Sequence, residues 1–125
     1  MNRVIKFRAW NKIHNIMMKW ENLRNQYNTL NCLTYEHLEV MQYTGLKDKN
    51  DKEIYEGDIL VMSYETNILG TKTIRNKVEW KGYSDGEYVD NVECWMCGNY
   101  PVSDWNTKDL EVIGNIYENP ELLKE

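Results

Sequence analysis

The sequence predicts a single, mainly β domain that folds as a small, partly open barrel built from hairpins. Short segments in which apolar and polar residues alternate recur along the chain, as strands with one buried face require. Clusters of Gly, Asn and Asp separate these segments at the intervals expected for turns. The sequence contains no internal repeat and no linker, so residues 1–125 are assigned to one domain. Closely spaced short strands of this kind are typical of a small barrel.

The N-terminal segment, residues 1–24, is predicted to be a basic hairpin. From Val4 to Trp10, charged and apolar residues alternate with a period of two, which indicates a strand. The apolar stretch Ile16–Trp20 follows a polar turn and supplies the second strand. Within residues 21–35, apolar residues recur at helical spacing among several asparagines that weaken helix propensity. A short helix and an irregular insertion both fit this stretch.

Residues 36–117 are predicted to form the barrel body, organised around a central hairpin. Met41–Leu46 runs into a polar tip, Glu53–Tyr55 returns, and a Glu-Gly-Asp triplet then reverses the chain. The glycine of this triplet supplies the positive φ that the reversal requires, and its aspartate is expected to bond turn amides rather than a metal. The residues assigned to these structural turns are Gly45, Asp51, Gly57 and Asp58.

The core of the body is predicted to centre on Ile59–Met62, a strand that is apolar at every position. Further strands are predicted at 73–80, 88–96 and 110–117, with loops at 66–71, 81–87 and 98–108. Residues 119–124 are predicted to form one helical turn, with Asn119 as its N-cap and Pro120 at its first position. The predicted core residues are Ile59, Val61, Val78, Val112 and Ile116. Truncating Val61 to Ala is expected to cost about 2–4 kcal/mol.

Charge is unevenly distributed along the chain. Residues 1–24 hold six basic side chains and one acidic, a net charge of +5, whereas the remaining residues hold nine basic and nineteen acidic, a net charge of −10. We therefore expect the basic segment to pair with an acidic surface, either of its own body or of another protein, a second copy of the chain included. The candidate interaction surface consists of Lys6, Arg8, Trp10, Lys12, Lys19 and Trp20.

Single-stranded nucleic acid is the alternative partner for this surface, because aromatic side chains stack on bases and basic side chains follow phosphates. That alternative requires the basic residues to share an open face with Trp10 or Trp20. A pI of about 5.1 opposes it, since an acidic protein repels phosphate at long range. The sequence therefore favours a protein partner over nucleic acid.

The pair Cys94 and Cys97 is the motif that suggests a zinc or redox site. Zinc requires two further ligands, and the other residues able to supply them, Cys32, His14 and His37, are scattered along the sequence. Thiol exchange requires such a pair at the start of a helix in a βαβ unit, which the pattern does not contain. We therefore expect ordinary packed or half-exposed thiols.

Acidic residues crowd the central hairpin and could suggest a divalent cation. They are Asp48, Asp51, Glu53, Glu56 and Asp58. Lysines alternate with them, which is typical of a solvated hairpin tip. The sequence also lacks the nucleophile and phosphate-binding motifs of common enzymes. We predict no metal site, no cofactor and no catalytic residue, and we expect that the protein is not an enzyme.

The compartment is predicted from hydropathy and from the number of cysteines. No apolar run reaches the ~20 residues of a membrane span, and the N-terminus lacks the apolar stretch of a signal peptide. Three cysteines, an odd number, fit a reducing compartment better than a disulfide framework. These features predict a cytoplasmic protein without a membrane partner.

Three stretches resemble the YopX family of phage and prophage proteins: VIKFRAWN at the start, MQYTGLKDKNDKEIYEGDIL in the centre and EVIGNIYENPELL near the end. The resemblance implies an SH3-type barrel, a phage context within a bacterial host cell, and a phage or host protein as partner. It implies no catalytic residue, because members of the family largely lack an assigned activity. Two positions depart from the family pattern: Asn11 stands where an acid is common, and Asp51 where a glycine usually ends the hairpin tip.

Overall fold

Nine strands and one short helix make up most of the residues that the computed structural model describes, which are 4–26, 35–84, 86–87 and 92–124. The strands are β1 (Phe7–Asn11), β2 (Ile16–Met18), β3 (Leu38–Lys47), β4 (Glu53–Tyr55), β5 (Asp58–Thr66), β6 (Gly70–Tyr83), β7 (Val92–Cys97), β8 (Tyr100–Pro101) and β9 (Leu110–Asn115). The helix α1 spans Trp20–Gln26, and 3-10 turns cover Val102–Asp104, Thr107–Asp109 and Pro120–Leu123. The prediction of a mainly β chain is therefore confirmed.

The strands form two antiparallel sheets. The first has the strand order β2-β1-β3-β4 and curls into half a barrel, and the second has the order β8-β7-β6-β5-β9. The pairing of β3 with β4 shifts register between Tyr43 and Lys47, and an irregularity of this kind bends a strand. This curled sheet combines the N-terminal hairpin with β3 and β4, so the predicted barrel body, residues 36–117, is divided between the two sheets.

The first sheet buries one face beneath α1. Ala9, Met18 and Leu38 of the sheet are buried against Leu23 of α1. Phe7, Val40 and the helix residue Trp20 pack against this cluster. Because alternate residues of a strand share a face, Ala9 points into this cluster while Arg8 and Trp10 point to the opposite side of β1. The alternation in the N-terminal sequence therefore separates a packed face from a face that carries charge.

Helix α1 occupies part of the stretch 21–35 that the sequence left open between a helix and an irregular insertion. Residues 27–34, Cys32 among them, lie outside the described residues. No helix in the described part of the chain is long and apolar enough to cross a membrane.

The second sheet holds the larger core. The buried residues of this core are Ile54, Leu60, Met62, Val78, Cys97, Val102 and Leu110. Ile54 belongs to β4 of the first sheet, so the core joins the two sheets. On β5, Ile59, Leu60 and Met62 are fully buried, which agrees with the predicted apolar strand at the centre of the fold.

Of the five predicted core residues, Ile59 and Val78 are buried, and Val112 is half-buried but packs against the core. Val61 and Ile116 are half-buried and lie outside the core cluster, so the prediction was wrong for these two. Val61 is half-buried because of its neighbours in the sheet. It pairs with Arg75 on β6 and with Glu111 on β9. Charged side chains stay hydrated and leave that face of β5 partly open. A fully apolar run in the sequence does not reveal which of its two faces is covered.

The expected cost of truncating Val61 is therefore lower than the sequence suggested. We expect Val61→Ala to reduce the free energy of unfolding by about 1 kcal/mol and Val78→Ala to reduce it by about 2–3 kcal/mol. Both variants lose the same two methyl groups, but only Val78 is fully buried. The difference between the two losses of unfolding free energy therefore measures the effect of burial at these positions. Urea unfolding gives both values, and equal losses would contradict an open face at Val61.

Two predicted loops are more regular than expected. The loop at 66–71 contracts to a tight turn, because β5 and β6 stay paired as far as Thr66 and Gly70. The stretch 98–108 contains β8 and two 3-10 turns. Strand β7 covers part of the predicted strand 88–96, whose first four residues lie outside the described residues.

The C-terminal helical turn is the 3-10 turn Pro120–Leu123, with Pro120 at its first position. Asn119 is the N-cap residue, as predicted, but its side chain makes no capping hydrogen bond to the turn. Its Oδ1 instead accepts a hydrogen bond from the backbone N of Asn115 at 3.2 Å. A Cβ at position 114 would lie 2.5 Å from that oxygen, so the close approach of the Asn119 carboxamide to β9 requires Gly114.

Candidate functional site

An open groove of about 410 Å³ lies against the first sheet. Four residues of the predicted interaction surface line it: Lys6, Arg8, Lys19 and Trp20. The other lining residues are Met17, Glu21, Lys52, Glu53 and Tyr55. They come from both edge strands of the curled sheet, β2 and β4, as well as from the β1 side. The groove is the site at which most of the predicted surface residues meet.

Strand alternation explains why these side chains converge. Lys6 and Arg8 lie two residues apart, so they share a face of the extended N-terminal chain. Met17 extends this face, because it pairs with Trp10 across the β1–β2 ladder. Trp20 stands at the start of α1, where its ring packs on Phe7 with centroids 5.9 Å apart.

Trp10 and Lys12 do not line the groove, so the single surface predicted from the sequence is divided in the structure. Trp10 stacks on Tyr117, with ring centroids 5.7 Å apart and an interplanar angle of 15°. Lys12 Nζ pairs with Glu39 Oε1 at 3.0 Å, and both of these side chains are about half exposed. Neither partner could be identified from the sequence, because each belongs to a distant segment.

Arg8 is largely buried, which corrects its prediction as an open basic side chain. Its Nη2 donates to Asp58 Oδ1 at 2.7 Å, and only 14% of the Arg8 side chain and 2% of the Asp58 side chain are exposed. The guanidinium lies over the Tyr55 ring, 4.7 Å from the centroid. Its Nε, also buried, has no acceptor among the described residues. Arg8 therefore forms the floor of the groove and joins β1 to the start of β5.

Asp58 stabilises the chain reversal in addition to binding the Arg8 guanidinium. Its Oδ2 accepts a hydrogen bond from the backbone N of Tyr55 at 2.8 Å. Burial raises the pKa of Asp58 above its ordinary value, and the Arg8 charge and the Tyr55 amide offset this only in part. The other predicted turn residues all have positive φ: +86° at Gly45, +64° at Asp51 and +86° at Gly57.

The N-terminal cations find acidic partners in the body of the same chain. Lys6 forms an ion pair with Glu53 and lies 4.9 Å from the centroid of the Tyr43 ring. The further pairs between the N-terminal segment and the body are Arg8–Asp58 and Lys12–Glu39. None of the ion pairs in the described residues includes Lys19 or Lys52. Two lysines at the groove therefore retain a positive charge that no such pair offsets.

The family model described as YopX protein matches residues 6–124, nearly the whole chain. The chain belongs to the YopX family. A crystal structure of protein EF1440 from Enterococcus faecalis is similar to it, with 28% sequence identity, a TM-score of 0.54, and coverage of 98% of this chain and 100% of that chain. No curated protein matches the sequence. The resemblance to the YopX family that the sequence indicated is therefore confirmed.

Asn11, at the end of β1, is a turn-forming residue. Asn11 is buried, and its Oδ1 accepts hydrogen bonds from the backbone N of Ile13 at 3.0 Å and of His14 at 3.2 Å. A side-chain oxygen that bonds amides two and three residues ahead closes the β1–β2 turn. An amide supplies this acceptor without placing a negative charge in a buried position.

Asp48 has a structural role in this YopX protein that the sequence analysis missed. It was assigned to a solvated hairpin tip, but it is only 2% exposed. Its Oδ1 accepts hydrogen bonds from the backbone N of Asn50 and Lys52, and its Oδ2 accepts one from Val112, each at 2.9 Å. Aspartate at the start of a polar tip is a signal for the first two bonds. No local pattern indicates the third bond, which fastens the tip to β9.

The acid dependence of stability is expected to report the ionisation of Asp48. Burial opposes ionisation, but hydrogen bonds from three amides outweigh it and lower the pKa below the ordinary value of 3.8. A carboxyl whose pKa is lowered by folding stabilises the fold above its unfolded pKa, and this contribution is lost as the pH falls through the folded pKa. The stability advantage of the unsubstituted protein over Asp48→Asn should therefore shrink below pH 3.8. Urea unfolding at several pH values measures it, and an advantage that grows on acidification would contradict the assignment.

The two cysteines of the Cys-x-x-Cys motif lie on β7, and their spacing separates them. Residues three apart on a strand point to opposite faces of the sheet, so Cys94 and Cys97 do not converge on one point. Cys97 is buried, and its thiol donates to the carbonyl O of Asn76 at 3.3 Å. Burial raises the pKa of Cys97 to about 11 and also raises that of Cys94, where the charge of Asp104 adds to the effect. The described residues contain no group of three metal-binding side chains.

Proposed function

We propose that this YopX-family protein is a non-catalytic interaction module, which binds a segment of another protein in the groove beside the first hairpin. One observation carries the proposal. The cations predicted to form a basic surface are largely neutralised by acids of the same chain, through Lys6–Glu53, Arg8–Asp58 and Lys12–Glu39. The surface that remains is a groove of mixed charge with aromatic walls, which suits a protein segment.

Single-stranded nucleic acid is the second candidate, and the pairing of charges disfavours it. A strand of phosphates needs a continuous row of unpaired cations with aromatic side chains between them. Lys6 and Arg8 are already paired, Lys12 lies outside the groove, and Glu21 and Glu53 line it. Trp20 could stack on a base while the neighbouring Lys19 binds a phosphate, and both residues line the groove. The experiment below therefore includes an oligonucleotide.

Self-assembly driven by the basic segment is likewise disfavoured. The segment with a net charge of +5 meets acidic side chains within its own chain, so electrostatics alone gives no need for a second copy. Among the described residues, the groove is lined by no cysteine, histidine or serine, and Lys6, which is paired with Glu53, already neutralises one of its two carboxylates. The proposal accordingly assigns no catalytic residue and no cofactor.

The biological setting belongs to the same proposal. Membership of the YopX family implies a phage or prophage origin, so we place this chain in the cytoplasm of an infected or lysogenic bacterium. Unpaired cysteines support this location, because Cys94 and Cys97 are both free thiols. The partner is then a phage or host protein, and an SH3-type barrel is the architecture that we expect to present the groove.

Selection from a displayed library of random peptides tests the proposal. We expect peptides that bind at ~150 mM salt and that lose most of their affinity on the double substitution Lys19→Glu with Lys52→Glu. Both lysines are exposed and belong to none of the described ion pairs, but Lys52 attracts the buried carboxylates of Asp48 and Asp58. Circular dichroism therefore checks first that the double variant is folded. Lys72→Glu is the control, because it reverses one exposed lysine on the β5–β6 arm, outside the groove.

Labelled oligothymidine is measured in parallel by fluorescence anisotropy. Submicromolar binding of this oligonucleotide that the double substitution abolishes would replace the interaction module with a nucleic-acid binder. The proposal would also be overturned if every selected peptide bound the double variant as tightly as it binds the unsubstituted protein. Analytical ultracentrifugation of the unsubstituted protein is expected to show a monomer.

A further inference from the structure

We propose that the groove recognises a carboxylate flanked by a large apolar side chain, in an extended segment of the partner protein. This inference rests on the proposed function and specifies the chemistry of the ligand. It is argued from the charges, the apolar walls and the size of the groove.

The charge of the groove is opposite in sign to that of the whole protein. Its lining includes four basic side chains and two acidic ones, whereas the chain carries a net charge of −5. Lys6 and Arg8 are compensated by Glu53 and Asp58. The two lysines of the groove that form no ion pair among the described residues come from opposite edges of the first sheet, since Lys19 follows β2 and Lys52 precedes β4. A single anionic group between these edges is the charge that the groove lacks.

The floor of the groove is the buried ion pair of Arg8 with Asp58. The Arg8 guanidinium bonds Asp58 through one nitrogen, and its buried Nε has no acceptor among the described residues. The charge of Arg8 is compensated by Asp58, so the floor adds no net charge. The two lysines at the rims therefore set the sign of the ligand charge.

The walls between these cations are apolar. Met17, Trp20 and Tyr55 supply a thioether and two aromatic rings, and Trp20 is half-buried on Phe7 rather than extended into solvent. Flexible methionine and rigid aromatic surfaces bind large apolar side chains in recognition sites. A volume of about 410 Å³ suits two or three side chains of an extended peptide.

A carboxylate fits the charges better than a phosphate does. Glu21 and Glu53 line the same groove and repel a dianion more strongly than a monoanion. Lys6 is paired with Glu53 and Arg8 with Asp58, which leaves Lys19, Lys52 and Glu21. Their net charge of +1 matches one carboxylate, whereas a dianion would leave the groove with a negative charge. The predicted ligand is therefore an Asp or Glu next to a residue such as Leu or Trp.

A synthetic peptide array tests this ligand. Each peptide has glycine at both ends and three central positions varied over Asp, Asn, Lys, Leu, Trp and Ser, so that charge and apolar size change independently. The strongest binding is expected from Asp flanked by Leu or Trp, and replacing that Asp with Asn should weaken binding about tenfold. The double substitution Lys19→Glu with Lys52→Glu should shift the preference from Asp to Lys, while Lys72→Glu should leave it unchanged.

The outcomes separate this inference from the proposed function. Apolar peptides that bind the groove equally well with Asp, Asn or Lys would overturn the inference and leave the interaction module intact. Array peptides that all fail to bind would overturn the inference, and the library selection would then decide the proposed function on its own. Oligothymidine that competes with the bound peptide, with a higher affinity than the peptide, would overturn both.

Discussion

Asp58→Ala is expected to lower the free energy of unfolding by about 3–5 kcal/mol, the largest effect anticipated for a single substitution in this protein. The substitution leaves the Arg8 guanidinium largely buried without its carboxylate and removes the acceptor of the Tyr55 amide. An unpaired buried charge cannot recover its hydration without opening the structure around it. Urea unfolding monitored by tryptophan fluorescence measures the loss.

Two further variants identify the cause of that loss. Lys12→Met breaks the exposed pair with Glu39 and should cost less than about 1 kcal/mol, because water screens that pair. Arg8→Met combined with Asp58→Leu removes both charges and should recover part of the stability that Asp58→Ala loses. A double variant as unstable as the sum of its single changes would exclude the buried ion pair as the source.

Asp48→Ala is expected to cost about 2–4 kcal/mol, because it removes the acceptor of three backbone amides at once. The amides of Asn50 and Lys52 lie in exposed residues and can turn to water, whereas Val112 is half-buried on β9. Most of the cost is therefore assigned to the bond that joins the hairpin tip to Val112.

Glu111→Ala is the matched control for this substitution. Glu111 is an acid on β9 beside Val112, and its pair with Lys49 is about half exposed, so its removal should cost less than about 1 kcal/mol. Asp48→Asn keeps one acceptor oxygen and should fall between the two alanine variants. If Asp48→Ala cost no more than Glu111→Ala, the tip would be held by backbone pairing alone.

Local chemistry determined what could be predicted from the sequence. Alternation identified the strand around Ala9, and turn chemistry identified the reversal at Gly57, because the residues responsible are neighbours in the chain. The partners of Arg8 and Asp48 lie 50 and 64 residues away, and no short window contains both members of such a pair. The residues of the candidate surface could therefore be predicted from composition. Their division between the groove and the stack of Trp10 on Tyr117 could not be predicted, because it depends on distant residues.

The hydrogen bond between Asp48 and Val112 of β9 can form only late in synthesis, because the chain is made from its N-terminus. Every residue that lines the groove lies within positions 6–55, so a chain emerging from the ribosome exposes them first. Ile54 and Asp48 emerge with them, but their partners on β9 follow more than fifty positions later. During that interval an apolar side chain and a carboxylate meant for the interior face the cellular milieu. Exposed apolar side chains of this kind favour association of incomplete chains, so Ile54 is protected only once β9 has been synthesised.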